Sequence, residues 1–184
     1  MHALSLIPLL FAIPSLATLQ HVEFPHLIIP LNKNHANTAY GTQKNSTVSD
    51  YIWTEISFDV PADVPAAICR INFNLNLNPV KKAPWKVYGN PPYDIEVRRL
   101  EPTINKDKDT WNASAFIKEY VATILISKEG TVEVMDGWFQ CPKGDVAQFI
   151  MLPTAPLGMD FSWFELDYPW SEGGPHGITL EMHT

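Results

Sequence analysis

From residue 67 to residue 77 apolar and polar positions alternate. Ala67, Cys69, Ile71, Phe73, Leu75 and Leu77 fall on one side, and Ile68, Arg70, Asn72, Asn74 and Asn76 on the other. Successive side chains of a strand point to opposite faces, so this run predicts a long half-buried strand with Cys69 on its apolar face. Residues 52–60 repeat the pattern, with Ile52, Thr54, Ile56, Phe58 and Val60 on one face and Trp53, Glu55, Ser57 and Asp59 on the other. Pro61, Ala62, Asp63, Val64 and Pro65 supply a turn between the two strands. Further strands are predicted at 26–30, 95–100, 120–126, 131–135, 146–152, 161–166 and 178–182, with a hairpin turn at Lys128, Glu129 and Gly130. The only helical candidate is 112–121, and its periodicity is poor. Residues 78–93 and 101–110 read as long surface loops. Short strands punctuated by Pro, Gly and Asn predict an all-β fold, a single-domain antiparallel β-sandwich.

Composition narrows the function. The 184 residues suit one domain, 46% of them are hydrophobic, and the formal net charge is −7. An acidic chain without a Lys/Arg-rich run is a poor match for a phosphate backbone, so no nucleic-acid partner is expected. The first 17 residues carry no fixed charge, and residues 4–17 are apolar over a stretch too short to span a bilayer. Ser15 and Ala17 place small residues before a cut after Ala17, as in a signal peptide. The chain then divides into a leader, 1–17, and a mature domain, 18–184. No later stretch is apolar enough for a membrane span, and no lipid-anchor signal is seen. The expected product is extracellular.

Export changes how the two cysteines are read. In an oxidising compartment an even count implies a bridge, here Cys69–Cys141, worth roughly 4 kcal/mol through chain entropy. Export also makes two sequons meaningful, Asn45-Ser46-Thr47 and Asn112-Ala113-Ser114. Asn45 is the better acceptor, because its neighbours are small or polar.

Candidate chemistry concentrates near the C-terminus. Glu165 and Asp167 share a strand face by alternation, and a retaining glycosidase needs two carboxyls about 5 Å apart. Pro169 interrupts that strand and Glu172 comes too late in it, so the segment reads as a solvated strand end. With Asp160, the same acids could supply oxygens to calcium. A cut after Gln20 would instead expose His21 as a copper-chelating N-terminus, partnered by His26, His35, His176 or His183, but Gln20 makes a poor cleavage site. No catalytic residue, metal ligand or cofactor is therefore assigned. Rings are dense between Asp160 and Glu172, and flat exposed rings stack on sugars. Trp163, Tyr168 and Trp170 are the predicted ligand-binding residues.

Phe24-Pro25-His26-Leu27-Ile28-Ile29-Pro30 and Ala39-Tyr40-Gly41-Thr42-Gln43 resemble the opening signature of a fungal domain family. That family is named for the C-terminal domain of the But-type ubiquitin 3 binding protein. The resemblance continues through Ile68-Cys69-Arg70 and Phe139-Gln140-Cys141-Pro142 to Gly177-Ile178-Thr179-Leu180, nearly the whole mature chain. The chain departs from many members near Pro169-Trp170-Ser171, where they place an additional Cys. The resemblance implies a secreted or cell-surface β-sandwich with no catalytic assignment to transfer. The expected function is non-catalytic binding of a glycan or cell-wall component. The alternative is an effector-like protein-interaction domain with an undefined partner, and a carbohydrate-active enzyme ranks below both.

Overall fold

A computed structural model describes residues 17–154 and 158–184. Apart from Ala17, the expected leader lies outside the described residues. Strands in chain order are β1 (Leu19–Glu23), β2 (Leu27–Asn32), β3 (Asn45–Ser49), β4 (Ile52–Asp59), β5 (Ile68–Asn74), β6 (Trp85–Tyr88) and β7 (Tyr93–Leu100). They continue with β8 (Ile117–Ile126), β9 (Val132–Asp136), β10 (Trp138–Gln140), β11 (Val146–Pro153), β12 (Asp160–Phe164) and β13 (Gly177–His183). All pairings are antiparallel. One layer is a six-stranded sheet in the order β2-β4-β11-β7-β8-β9. A four-stranded sheet, β1-β13-β5-β10, and a three-stranded sheet, β3-β12-β6, face it. The fold is the expected single-domain antiparallel β-sandwich.

Alternation explains the core. Ile56 and Phe58 of β4, Ile71 and Phe73 of β5, Phe149 and Met151 of β11, Phe161 and Trp163 of β12, and Ile178 and Leu180 of β13 meet in one buried cluster. Cys69 and Cys141 form the expected disulfide, with Cα atoms 5.0 Å apart, and tie the short edge strand β10 to β5. Residues 61–65 do not close a hairpin. They carry the chain from β4 in one layer to β5 in the other.

The polar face of β4 is buried as well. Residues 101–116, part of which reads as a surface loop, lie across it and pack Ile104 and Trp111 against Ile29, Leu31, Leu100 and Ile150. Gln148 Oε1 accepts the Ile104 N–H at 2.9 Å, and Gln148 Nε2 donates to Ser57 Oγ at 3.1 Å. Glu55 Oε1 accepts the Ala115 N–H at 3.2 Å. Burial, then the charge of Asp109, pushes the Glu55 carboxyl up to about 8.

Three other expectations are corrected. The helical candidate 112–121 is a turn leading into β8, whose Val121, Ala122, Ile124 and Ile126 enter the core. The loop 78–93 contains β6, an edge strand whose Val87 packs against the core. The long strand 67–77 is ordered as β5 only from Ile68 to Asn74. Beyond it the asparagines turn to the backbone of the segment before β13. Asn76 Nδ2 donates to the carbonyls of Gly174 at 2.7 Å and Glu172 at 3.1 Å, and Asn78 Nδ2 to that of Glu172 at 3.1 Å. Burying carbonyls without donors is costly, so this ladder holds the loop in place.

A three-lobed groove beside beta-3 and beta-12

The segment before β3 is fastened to β2. Thr42 Oγ1 accepts the Ile28 N–H at 3.1 Å, and the Gln43 N–H donates to the Ile28 carbonyl at 2.7 Å. Gly41 sits at φ 65°, a left-handed conformation that glycine adopts most cheaply. On the other side, the Glu165 N–H donates to the Lys44 carbonyl at 3.0 Å, bringing the end of β12 alongside.

These links leave a groove of about 620 Å³, walled by Phe24, Pro25, His26, Thr42, Lys44 and Asp167 among others. Two smaller lobes, of about 260 and 240 Å³, adjoin it. Gln43 lines the large lobe and the first small one, Phe164 lines the large lobe and the second, and Asn45 lines both small ones. The three therefore neighbour one another along β3 and β12, and their lining mixes apolar side chains with amide, hydroxyl and charged groups. His26 Nδ1 stands 3.4 Å from Asp59 Oδ2 at one wall.

Glu165 lines the large lobe as a half-buried residue, with its carboxyl Oε2 turned inward and buried. Its Oε1 accepts the Trp163 indole N–H and the Ile178 N–H, both at 2.8 Å. Its Oε2 has no partner among the described residues. Burial pushes this carboxyl up to about 8, against the pull of those two donors. Gly177 leaves the room it needs, because a Cβ there would stand 2.1 Å from Glu165 Oε2.

The predicted ligand-binding trio does not share one exposed surface. Trp163 is 2% exposed, stacked on Phe161 at 5.1 Å and edge-on to Phe73 at 5.1 Å. It faces inward because β12 alternates and Phe161 and Trp163 share the core side. Tyr168 is half-buried under Lys81, whose Nζ lies 5.2 Å from the ring centroid. Trp170 alone of the three is largely open, 62% exposed, on a single 3-10 turn from Trp170 to Glu172. None of the carboxylates Asp160, Glu165, Asp167 and Glu172 gathers with others into a metal-holding group among the described residues, nor do the histidines. Glu165 and Asp167 both line the large lobe, but Glu165 Oε2 is buried and Oε1 is taken up by two N–H donors, whereas Asp167 is exposed.

Both sequon asparagines are exposed. The side-chain amide of Asn112 donates to Asn37 Oδ1 at 2.9 Å, whereas that of Asn45 makes no hydrogen bond among the described residues. Residues missed at the level of sequence are Gln43, Lys44 and Phe164. The signal was present, because Phe24-Pro25-His26 and Thr42-Gln43 belong to the two most specific pieces of the signature. They marked the family without marking a site.

Fold and groove define a class, a β-sandwich with a mixed apolar and polar depression at the meeting of its sheets. The chain belongs to the family of the ubiquitin 3 binding protein But2 C-terminal domain, whose family model matches residues 23–169. Every residue named as lining the groove falls inside that match. That description names the family after a ubiquitin 3 binding protein. No curated protein matches the chain.

Proposed function

We propose that this protein is a secreted, non-catalytic saccharide-binding domain and that the three-lobed groove is its site. The observation that carries this reading is the convergence of the signature segments, fastened to each other, on one depression. Its chemistry supports a sugar. Phe24, Pro25 and Phe164 offer apolar surface to the C–H faces of a pyranose, and Thr42, Gln43, Lys44 and Asp167 offer partners to its hydroxyls. The cargo on this reading is a wall or surface glycan.

The test is calorimetry of the secreted chain against soluble chitin and β-glucan oligosaccharides. Binding that falls at least tenfold in Gln43→Ala and Phe164→Ala supports the reading. Absence of saccharide binding, or binding indifferent to both substitutions, overturns it. Export itself is tested by N-terminal sequencing of the secreted chain, which should begin at Thr18.

A second reading, docking to a protein, rests on the outer face of the four-stranded sheet. Register places Leu19 and Ile68 on either side of His183, with Trp138 opposite Arg70 in the adjoining row, and Leu19, Ile68 and Trp138 are exposed. The ubiquitin-binding name of the family belongs to its named member. A partner that binds this face and is lost in Trp138→Ala would favour docking over sugar.

A further inference from the structure

Asn45 stands where the two small lobes meet. It pairs in register with Phe164, so both side chains leave the three-stranded sheet on its outer side, and Phe164 in turn borders the large lobe. The Asn45 amide is exposed and uncommitted. Thr47, the third sequon residue, points to the same side and lines the same small lobe. A saccharide attached to this amide begins at the border of both small lobes.

We propose that the standing occupant of the groove is the chain's own Asn45-linked glycan, so that glycosylation at Asn45 sets how much of the groove is open to outside saccharides. This rests on the groove being a saccharide site. In the covalent step the oligosaccharide arrives on a lipid pyrophosphate carrier, the donor class of the secretory route. A bond forms from Asn45 Nδ2 to C1 of the first N-acetylglucosamine. The C1–O bond to the pyrophosphate breaks, the amide loses a proton, and the lipid pyrophosphate leaves. No oxidant or reductant is needed.

Mass action then decides occupancy. A group tethered by a short linker acts at an effective concentration in the mM range, comparable to the dissociation constants of weak sugar sites. An outside oligosaccharide must displace it. The tethered glycan begins with N-acetylglucosamine, so the groove is assigned to N-acetylglucosamine oligosaccharides. Asn112 serves as a control, since its amide is engaged by Asn37 and it lines none of the three lobes.

The experiment compares the glycosylated secreted chain with Asn45→Gln and Asn112→Gln, using chitotetraose as the probe. Intact mass first reports whether Asn45 is occupied. The expected result is occupancy, with affinity about fivefold higher in Asn45→Gln and unchanged in Asn112→Gln. Trimming the wild-type glycan with an endoglycosidase should raise affinity in the same direction, which covers the case of an Asn45→Gln chain that is not secreted. Phe164→Ala in the Asn45→Gln background should lose the probe. Equal affinity in wild type and Asn45→Gln, or a secreted chain bare at Asn45, overturns the inference and leaves the groove standing. If no form binds any saccharide, the groove reading falls and takes this inference with it.

Discussion

The two faces of β12, the central strand of the three-stranded sheet, do different work. On the inner side Phe161 and Trp163 of β12 stack at 5.1 Å, and Trp163 meets Phe73 of β5 at the same separation. Glu165 closes that side with a buried carboxyl. On the outer side Phe164 borders two lobes of the groove, and Asn45 stands opposite it in β3. One step along β12 separates a core ring from a groove ring. Aromatic density between Asp160 and Glu172 therefore says little about binding, while the phase of the alternation says a great deal.

The sharpest way to break this contrast is to truncate the inner ring. Trp163→Ala should destabilise the domain by about 3–5 kcal/mol, the usual cost of deleting a large buried aromatic side chain. Chemical denaturation measures it, and a change under 1 kcal/mol would show that the ring does not fill the core. Next in size is the disulfide that fixes β10 against the same core. Replacing Cys69 and Cys141 with Ala should cost about 2–4 kcal/mol, since the bridge closes a long loop. Non-reducing peptide mapping checks the pairing, and melting with and without reductant checks the effect.

How far the sequence announced this arrangement depends on how each residue earns its place. The alternation of Cys69, Ile71 and Phe73 is local, and it correctly put the bridge into the core. The phase of β12 is equally legible and places Trp163 beside Phe161 on the core side, whereas ring density, which points to Trp163 as a binding residue, carries no information about phase. Strands β1, β3, β6 and β10 are short edge or near-edge elements whose patterns are weak because neighbours, not periodicity, define them. The buried role of Glu55 was invisible, because residues 101–116 return across β4 from far along the chain. The groove needed the Ile28 to Thr42 and Gln43 hydrogen bonds, which no linear pattern shows.

The buried acids provide a smaller effect. Glu165 and Glu55 both sit near 8 when folded, above the ordinary 4.5. The fold therefore holds their protonated forms. Their contribution is fully present below about 4.5 and is lost as pH rises through about 8. His176 works in the opposite sense. Burial lowers its value, so its contribution is lost as pH falls below 6.5. Subtracting the profile of Glu165→Gln from that of the wild type isolates Glu165. The wild type should lose more stability than Glu165→Gln between pH 5 and pH 8, by about 1 kcal/mol or more, or roughly 2–4 °C in Tm for a domain of this size. Parallel profiles would mean that this carboxyl is not held protonated.

The smallest expected effect separates the groove from the rings beyond it. Trp170 is 62% exposed, and its ring lies against Gly174, outside the three lobes. Truncating a ring that is already in water removes little burial, so Trp170→Ala should change stability by about 0.5 kcal/mol or less. It should also leave chitotetraose binding where it was. Phe164→Ala should likewise have a modest effect on stability, because the ring is half-buried at a surface, yet it should remove the contact that two lobes share. The two variants together form a difference experiment on solvent-facing rings of comparable chemistry. A loss of binding in Phe164→Ala with none in Trp170→Ala places recognition in the groove beside Asn45. The reverse result moves it to the 3-10 turn at Trp170, and the outer side of β12 then has no role beyond covering the core.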